Sequence, residues 1–168
     1  PISNPSNLQA FGGSQNGTPG AAGTIYHEYT AVENAGDLYI NNNGNNGQEA
    51  QLPEDNYVFN SAVLREYGHL RVEGQGSIVT FENSDSLVGD VSFPDIAVEG
   101  TFRYTGTNSF DINGVDVDIV GAIDFVNNEN INIGTTLQGG LTLNGGTWDK
   151  PNPEDVTSFG EVVVGSLG

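Results

Sequence analysis

Between residues 68 and 143 the chain repeats one pattern: two apolar residues flank a polar or small one, a Gly, Asn or Asp turn follows, and the pair recurs. Leu70-Arg71-Val72, Val91-Ser92-Phe93, Ile96-Ala97-Val98, Phe110-Asp111-Ile112, Val115-Asp116-Val117-Asp118-Ile119, Ile131-Asn132-Ile133 and Leu141-Thr142-Leu143 are the clearest instances. Alternation with a period of two predicts strands with one buried face. Strands this short, broken by turn residues, predict an all-β chain that coils around a narrow core. A β-sandwich or jelly roll is the alternative, because turn signals every 8 to 12 residues or so also suit that fold. The spacing favours the coil: Phe93 to Ile96, Ile112 to Val115 and Ile119 to Ile123 leave room only for a corner. At roughly 20 to 25 residues per coil, residues 23–168 would make about six coils.

Residues 1–22 are rich in Gly, Asn, Ser and Pro, with Ile2, Leu8 and Phe11 as apolar anchors, and read as a tail that is flexible or docked on a partner. Residues 23–168 form the expected solenoid domain. Within it, residues 41–46 are a polar loop and 48–56 an irregular stretch carrying Pro53. Ser61-Ala62-Val63-Leu64-Arg65-Glu66-Tyr67 is the nearest approach to a helix, of about two turns at most. Glu161-Val162-Val163-Val164 supplies a last strand.

Composition supports this picture: 24 glycines in 168 residues disfavour helices and suit tight corners. Counting 22 acidic against 4 basic residues gives a net charge of −18, which makes nucleic acid an unsuitable partner. The same self-repulsion calls for screening by salt or divalent cations, so a saline, calcium-containing or acidic exterior fits. There is no cysteine, which removes disulfides, thiolate catalysis and Cys-based metal sites. No run approaches the ~20 apolar residues of a membrane helix, and no membrane insertion is expected. The chain has no Met, so Pro1 is expected to be the start of a processed product or of a segment cut from a longer precursor.

Gly23-Thr24-Ile25-Tyr26, then Gly36-Asp37-Leu38-Tyr39-Ile40-Asn41-Asn42, and later Gly140-Leu141-Thr142-Leu143, resemble the right-handed parallel β-helix segments of large bacterial and archaeal surface proteins and adhesins. The resemblance spans about residues 23–145 and rests on degenerate motifs without a catalytic signature. It implies a parallel β-helix, export, an extracellular or cell-surface location, and a role in adhesion or fibrous assembly.

Several residues are candidates for chemistry. Asp116 and Asp118 leave the same face of an alternating strand with Cα atoms about 7 Å apart. With Asp111 and Asn113 they are candidate calcium ligands, and Asp124 is a further oxygen donor nearby in sequence. As a carboxylate pair they could also serve an inverting glycoside hydrolase. The bland reading is a solvated acidic face, and Asp111 to Asp116 does not match an EF-hand loop. His27 and His69 show no metal-ligand spacing, no Gly-x-Ser-x-Gly occurs, and Gly74-Gln75-Gly76 is not followed by a helix, so no cofactor is expected apart from calcium. Tyr26, Tyr29, Tyr39, Tyr67, Tyr104 and Trp148 could stack on sugar rings, or simply cap and flank the solenoid. By the same resemblance, a polysaccharide lyase would use basic residues beside acidic calcium ligands, for which Arg71 and Arg103 are the strand-borne candidates. Asn16-Gly17-Thr18 is an N-glycosylation acceptor pattern.

Solenoid ends are open sheet edges that recruit strands unless capped. Val162, Val163 and Val164 would form such an edge, and the N-terminal tail of another copy, anchored by Phe11, could add to it. The expected function is a non-enzymatic extracellular module, a surface adhesin segment or a self-assembling filament subunit, with copies of itself or adjoining segments as partners. The alternative is a carbohydrate-binding or carbohydrate-active β-helix protein with glycans as partners.

Overall fold

The computed structural model describes residues 14–15, 18–28, 36–82, 86–92, 94–108, 110–126, 131–133, 140–144, 147–149 and 162–165. The strands are β1 (Ser14–Gln15), β2 (Thr18–Pro19), β3 (Thr24–Glu28), β4 (Gly36–Asn41), β5 (Ala50–Leu52), β6 (Asn56–Phe59), β7 (Ser61–Arg65), β8 (Leu70–Val72), β9 (Ile78–Phe81) and β10 (Ser86–Val88). They continue with β11 (Asp95–Val98), β12 (Thr101–Tyr104), β13 (Phe110–Asn113), β14 (Asp116–Ile119), β15 (Ala122–Phe125), β16 (Ile131–Ile133), β17 (Gly140–Asn144), β18 (Thr147–Asp149) and β19 (Val162–Gly165). No helix occurs among the described residues.

Every third strand pairs, which makes the chain a three-faced β-solenoid. Face one runs β16-β13-β10-β7-β4-β3, face two β19-β17-β14-β11-β8-β5, and face three β18-β15-β12-β9-β6. All pairings on these faces are parallel except β3 on β4; β1 and β2 pair antiparallel with each other. This connectivity excludes the sandwich alternative, whose sheets are antiparallel. Four coils, β4 to β15, are described apart from residues 83–85, 93 and 109, and β16–β18 add a fifth set of strands. The period is uneven: Ala50 pairs with Leu70, 20 residues on, and Leu70 with Ile96, 26 residues on.

The apolar pairs of the sequence stack into ladders. On face two, Leu70, Ile96, Val117 and Leu141 are successive register partners. Val72, Val98, Ile119 and Leu143 form a second line beside them. On face three, Phe59, Phe81 and Tyr104 align. Phe81 lies 5.3 Å from Phe102 and 5.9 Å from Phe110, ring centre to ring centre, so face three meets face one through aromatic contacts. Strands of three to six residues have too little area to stand alone, and the shared interior is what stabilises them.

Corners require glycine because the backbones of adjacent coils meet there. Thr101 N–H donates to Ser77 O (2.8 Å) and Ala122 N–H to Gly100 O (3.2 Å), so Ser77, Gly100 and Gly121 form one corner column. A Cβ on Gly100 would lie 2.0 Å from Ser77 O, and one on Gly121 2.1 Å from Gly100 O. Gly114, with φ of +72°, turns the chain from β13 into β14.

Three local expectations are corrected. Ser61–Arg65 is strand β7, with Ala62 and Leu64 inward, and Glu66 and Tyr67 end it in left-handed conformations (φ +51° and +61°). The left-handed backbone is costly for side chains of this size and is held by the next coil. Glu66 N–H donates to Asp90 Oδ2 and Tyr67 N–H to Ser92 Oγ, both at 2.9 Å. Val91, expected on a strand, is in a turn and 77% exposed, because Asp90 folds its carboxylate onto the Ser92 amide and hydroxyl. The stretch 48–56, expected to be irregular, contains β5 and the start of β6.

Candidate functional site

Two regions of the surface carry the groups singled out by sequence. The first is the acidic outer face. Asp116 and Asp118 both point outward and are exposed on β14, in register with Asp95 and Ala97 of the coil before. Asp111 and Asn113 are half-buried on the outward positions of β13. The turn at Gly114 places β13 and β14 on different faces of the solenoid, so the four residues form two pairs rather than one group. Among the described residues no three His, Cys, Asp or Glu side chains converge as a metal shell.

Around this face, carboxylates of successive coils meet basic groups. His69 Nδ1 lies 2.9 Å from Asp95 Oδ1. Burial raises the Asp95 carboxyl above the ordinary aspartate value; Glu49 and Asp118 add to that rise, and His69 opposes it. Arg71 contacts Glu99 at 2.6 Å in the following coil and Glu49 at 3.7 Å in the preceding one. The Gly74 amide, first, and Arg71 then hold Glu99 below the ordinary glutamate value. Arg103 reaches Asp124 at 2.7 Å, again one coil on. Partly exposed pairs of this kind contribute little to stability, so their main effect is to align coils. Both strand-borne arginines named as lyase candidates are thus engaged by carboxylates.

Asp90 is another heavily bonded carboxylate at a coil junction. Burial pushes it up, but hydrogen bonds from Ser92 and from the Glu66 and Ser92 amides, with Arg65 nearby, outweigh this and hold it below the ordinary value. Its oxygens fix the left-handed turn that carries β7 into β8.

A polar row also crosses face one. His27, Asp37 and Ser61 are register partners on β3, β4 and β7. Ser61 Oγ donates to Asp37 Oδ1 at 2.6 Å, Asn60 Nδ2 donates to the same oxygen at 3.1 Å, and Tyr39 Oη donates to Oδ2 at 3.3 Å. The carboxylate stands between hydroxyl and imidazole, whereas activation of a serine requires the imidazole to be next to the hydroxyl. Sequence reasoning missed this row, since Asp37 and Ser61 are 24 residues apart.

The second region is a cleft of about 560 Å³ at the N-terminal mouth, lined by Thr24, Tyr26, Leu38, Leu52, Asn56, Tyr57, Val58 and Phe59. Tyr57 stacks parallel to Phe59 with centroids 6.2 Å apart, and Tyr26 meets Phe59 edge-on at 6.1 Å. The lining is mostly apolar and contains no carboxylate or imidazole, and Asp116 and Asp118 lie outside it. Of the other rings proposed for sugar stacking, Tyr104 is fully buried, while Tyr39 and Tyr67 are half-buried outside the cleft. Tyr29, Phe11 and Asn16 fall outside the described residues, and Trp148 is described only as part of β18. Val162, Val163 and Val164 form β19, the terminal strand of face two, paired in parallel with β17.

Comparison of the chain with protein-family models, with curated proteins and with solved structures gave no match.

Proposed function

We propose that this chain is a non-enzymatic structural module of an extracellular or cell-surface protein, an adhesin segment or filament subunit in which copies or adjoining segments join end to end. The observation that carries the reading is the stack itself. Its ladders run from coil to coil without a break, and face two ends in strands, β5 and β19, that have a neighbour on one side only among the described residues. Such edges add strands, and head-to-tail addition does not close on itself, so it builds fibres. The acidic outer faces keep the rod soluble, and Asp111, Asn113, Asp116 and Asp118 are the positions at which calcium would gather. With a net charge of −18, ends approach each other only when salt or divalent cations screen them.

Negative-stain imaging of the intact chain tests this. Particles many times longer than one chain should form, more of them in about 0.5 M salt or in calcium than at low ionic strength. Single rods under every condition contradict the reading. A second reading, carbohydrate binding, is favoured by the aromatic cleft, because tyrosine rings offer an apolar face with a polar rim. In that case neutral oligosaccharides would perturb tyrosine fluorescence while the chain stays monomeric.

A further inference from the structure

We propose that the outer edge of β5 is the docking site for β19 of a second copy, so that face two continues across the junction in unbroken register. The inference rests on the self-assembly reading and specifies its contact. In place of the N-terminal tail, the added strand expected from sequence alone, it puts the first coil of the next copy.

Three features of the fold point to it. The first is the backbone at the edge. Ala50 N–H donates to His69 O (2.8 Å), and Leu52 O accepts from Glu73 N–H (2.9 Å). In a parallel strand the residue between two such groups faces the other way, so Gln51 directs its N–H and C=O to the side of β5 that has no neighbour among the described residues. The second is polarity. All strands of face two are parallel, so a copy translated along the axis presents β5 to β19 in the direction that parallel pairing needs. Two β5 edges brought together would run antiparallel.

The third feature is the ladder. Ala50 and Leu52 begin two register lines that reach, four partners later, Leu141 and Leu143 and then Val162 and Val164. Translation sets Val162 on the Ala50 line and Val164 on the Leu52 line, apolar upon apolar. Leu52 also lines the mouth cleft, whose 560 Å³ far exceeds the ~150 Å³ that admits a benzene ring.

The register line of Gln51 gives the test. Gln51 and Val163 stand at its two ends, five strand steps apart in one chain, about 24 Å at the usual strand spacing. Across the junction they would be neighbours about 5 Å apart, within disulfide range. The natural chain has no cysteine, so introduced thiols are the only ones. Full-length chain carrying both Gln51→Cys and Val163→Cys, oxidised under assembling conditions, should give a ladder of covalent oligomers on a non-reducing gel that reductant collapses to monomer. Gln51→Cys alone should stay monomeric.

Covalent dimers from Gln51→Cys alone would indicate head-to-head contact and overturn the proposal. Long particles of the double variant with no covalent ladder overturn the register yet leave self-assembly standing; failure of the wild-type chain to assemble at all removes both. A readout without substitution covers the case in which Val163→Cys does not fold. Amide exchange at Gln51 in the wild-type chain should slow on the order of tenfold on assembly, and unchanged exchange in assembled particles contradicts β5 as the junction.

Discussion

Phe81→Ala should lower the stability of this chain by about 4 kcal/mol, the largest effect expected of any single core truncation here. Phe81 is fully buried in the second coil and touches three rings from three different strands: Phe59 at 5.8 Å, Phe102 at 5.3 Å and Phe110 at 5.9 Å. Removing it opens a cavity that its neighbours cannot readily fill, because Phe102 and Phe110 lie on strands paired on both sides and Phe59 is held by pairing to β9. The loss therefore combines the transfer free energy of the ring, the cavity and the ring contacts. In a solenoid a weakened interface also uncouples the coils on either side, so the unfolding transition should broaden as well as shift. Denaturant titration followed by far-UV circular dichroism reads both. A change below about 1 kcal/mol would show that the aromatic ladder is not the core that joins the faces.

Gly100→Ala should cost about 3 kcal/mol although it adds a single methyl group. The new Cβ would meet the backbone oxygen of Ser77 at 2.0 Å, and backbone cannot rotate away as a side chain can. Relief requires the second and third coils to separate at the corner, which stretches the Thr101 N–H to Ser77 O bond and loosens the ladders on both adjoining faces. Gly44 provides the contrast. It has φ of +73°, but a methyl group there would have nothing within 4 Å of it, so Gly44→Ala should cost only about 1 kcal/mol of backbone strain. Equal midpoints for the two variants in the same titration would contradict the corner column.

The sequence carried the inner face well and the sideways neighbours poorly. Alternation in Val115 to Ile119 and in Leu70-Arg71-Val72 identified which side chains point inward, because period two survives whatever the strand pairs with. It failed at Ser61–Arg65, where Ala, Leu and Arg favour helix as isolated residues but β4 and β10 on either side provide partners for a strand. It failed again at Val91, where a turn fixed by Asp90 takes precedence over a one-residue alternation. Register was hidden because the period varies with loop length, from 20 residues at Ala50 to 26 at Leu70. For the same reason the ion pairs Arg71–Glu99 and Arg103–Asp124, separated by 28 and 21 residues, leave no local signal. The pattern put Asp116 and Asp118 correctly on an outer face, but Asp111 and Asn113 proved to lie around the Gly114 corner, which only the fold reveals.

Methyl-to-methyl NOE spectroscopy on the isotope-labelled full chain tests the stacked interior most directly. The account requires cross-peaks from Leu70 to Ile96 and from Ile96 to Val117, with parallel lines from Val72 to Val98 and from Val98 to Ile119. Cross-peaks that instead pair these residues with antiparallel sequence neighbours, or their absence in a folded chain, would contradict it.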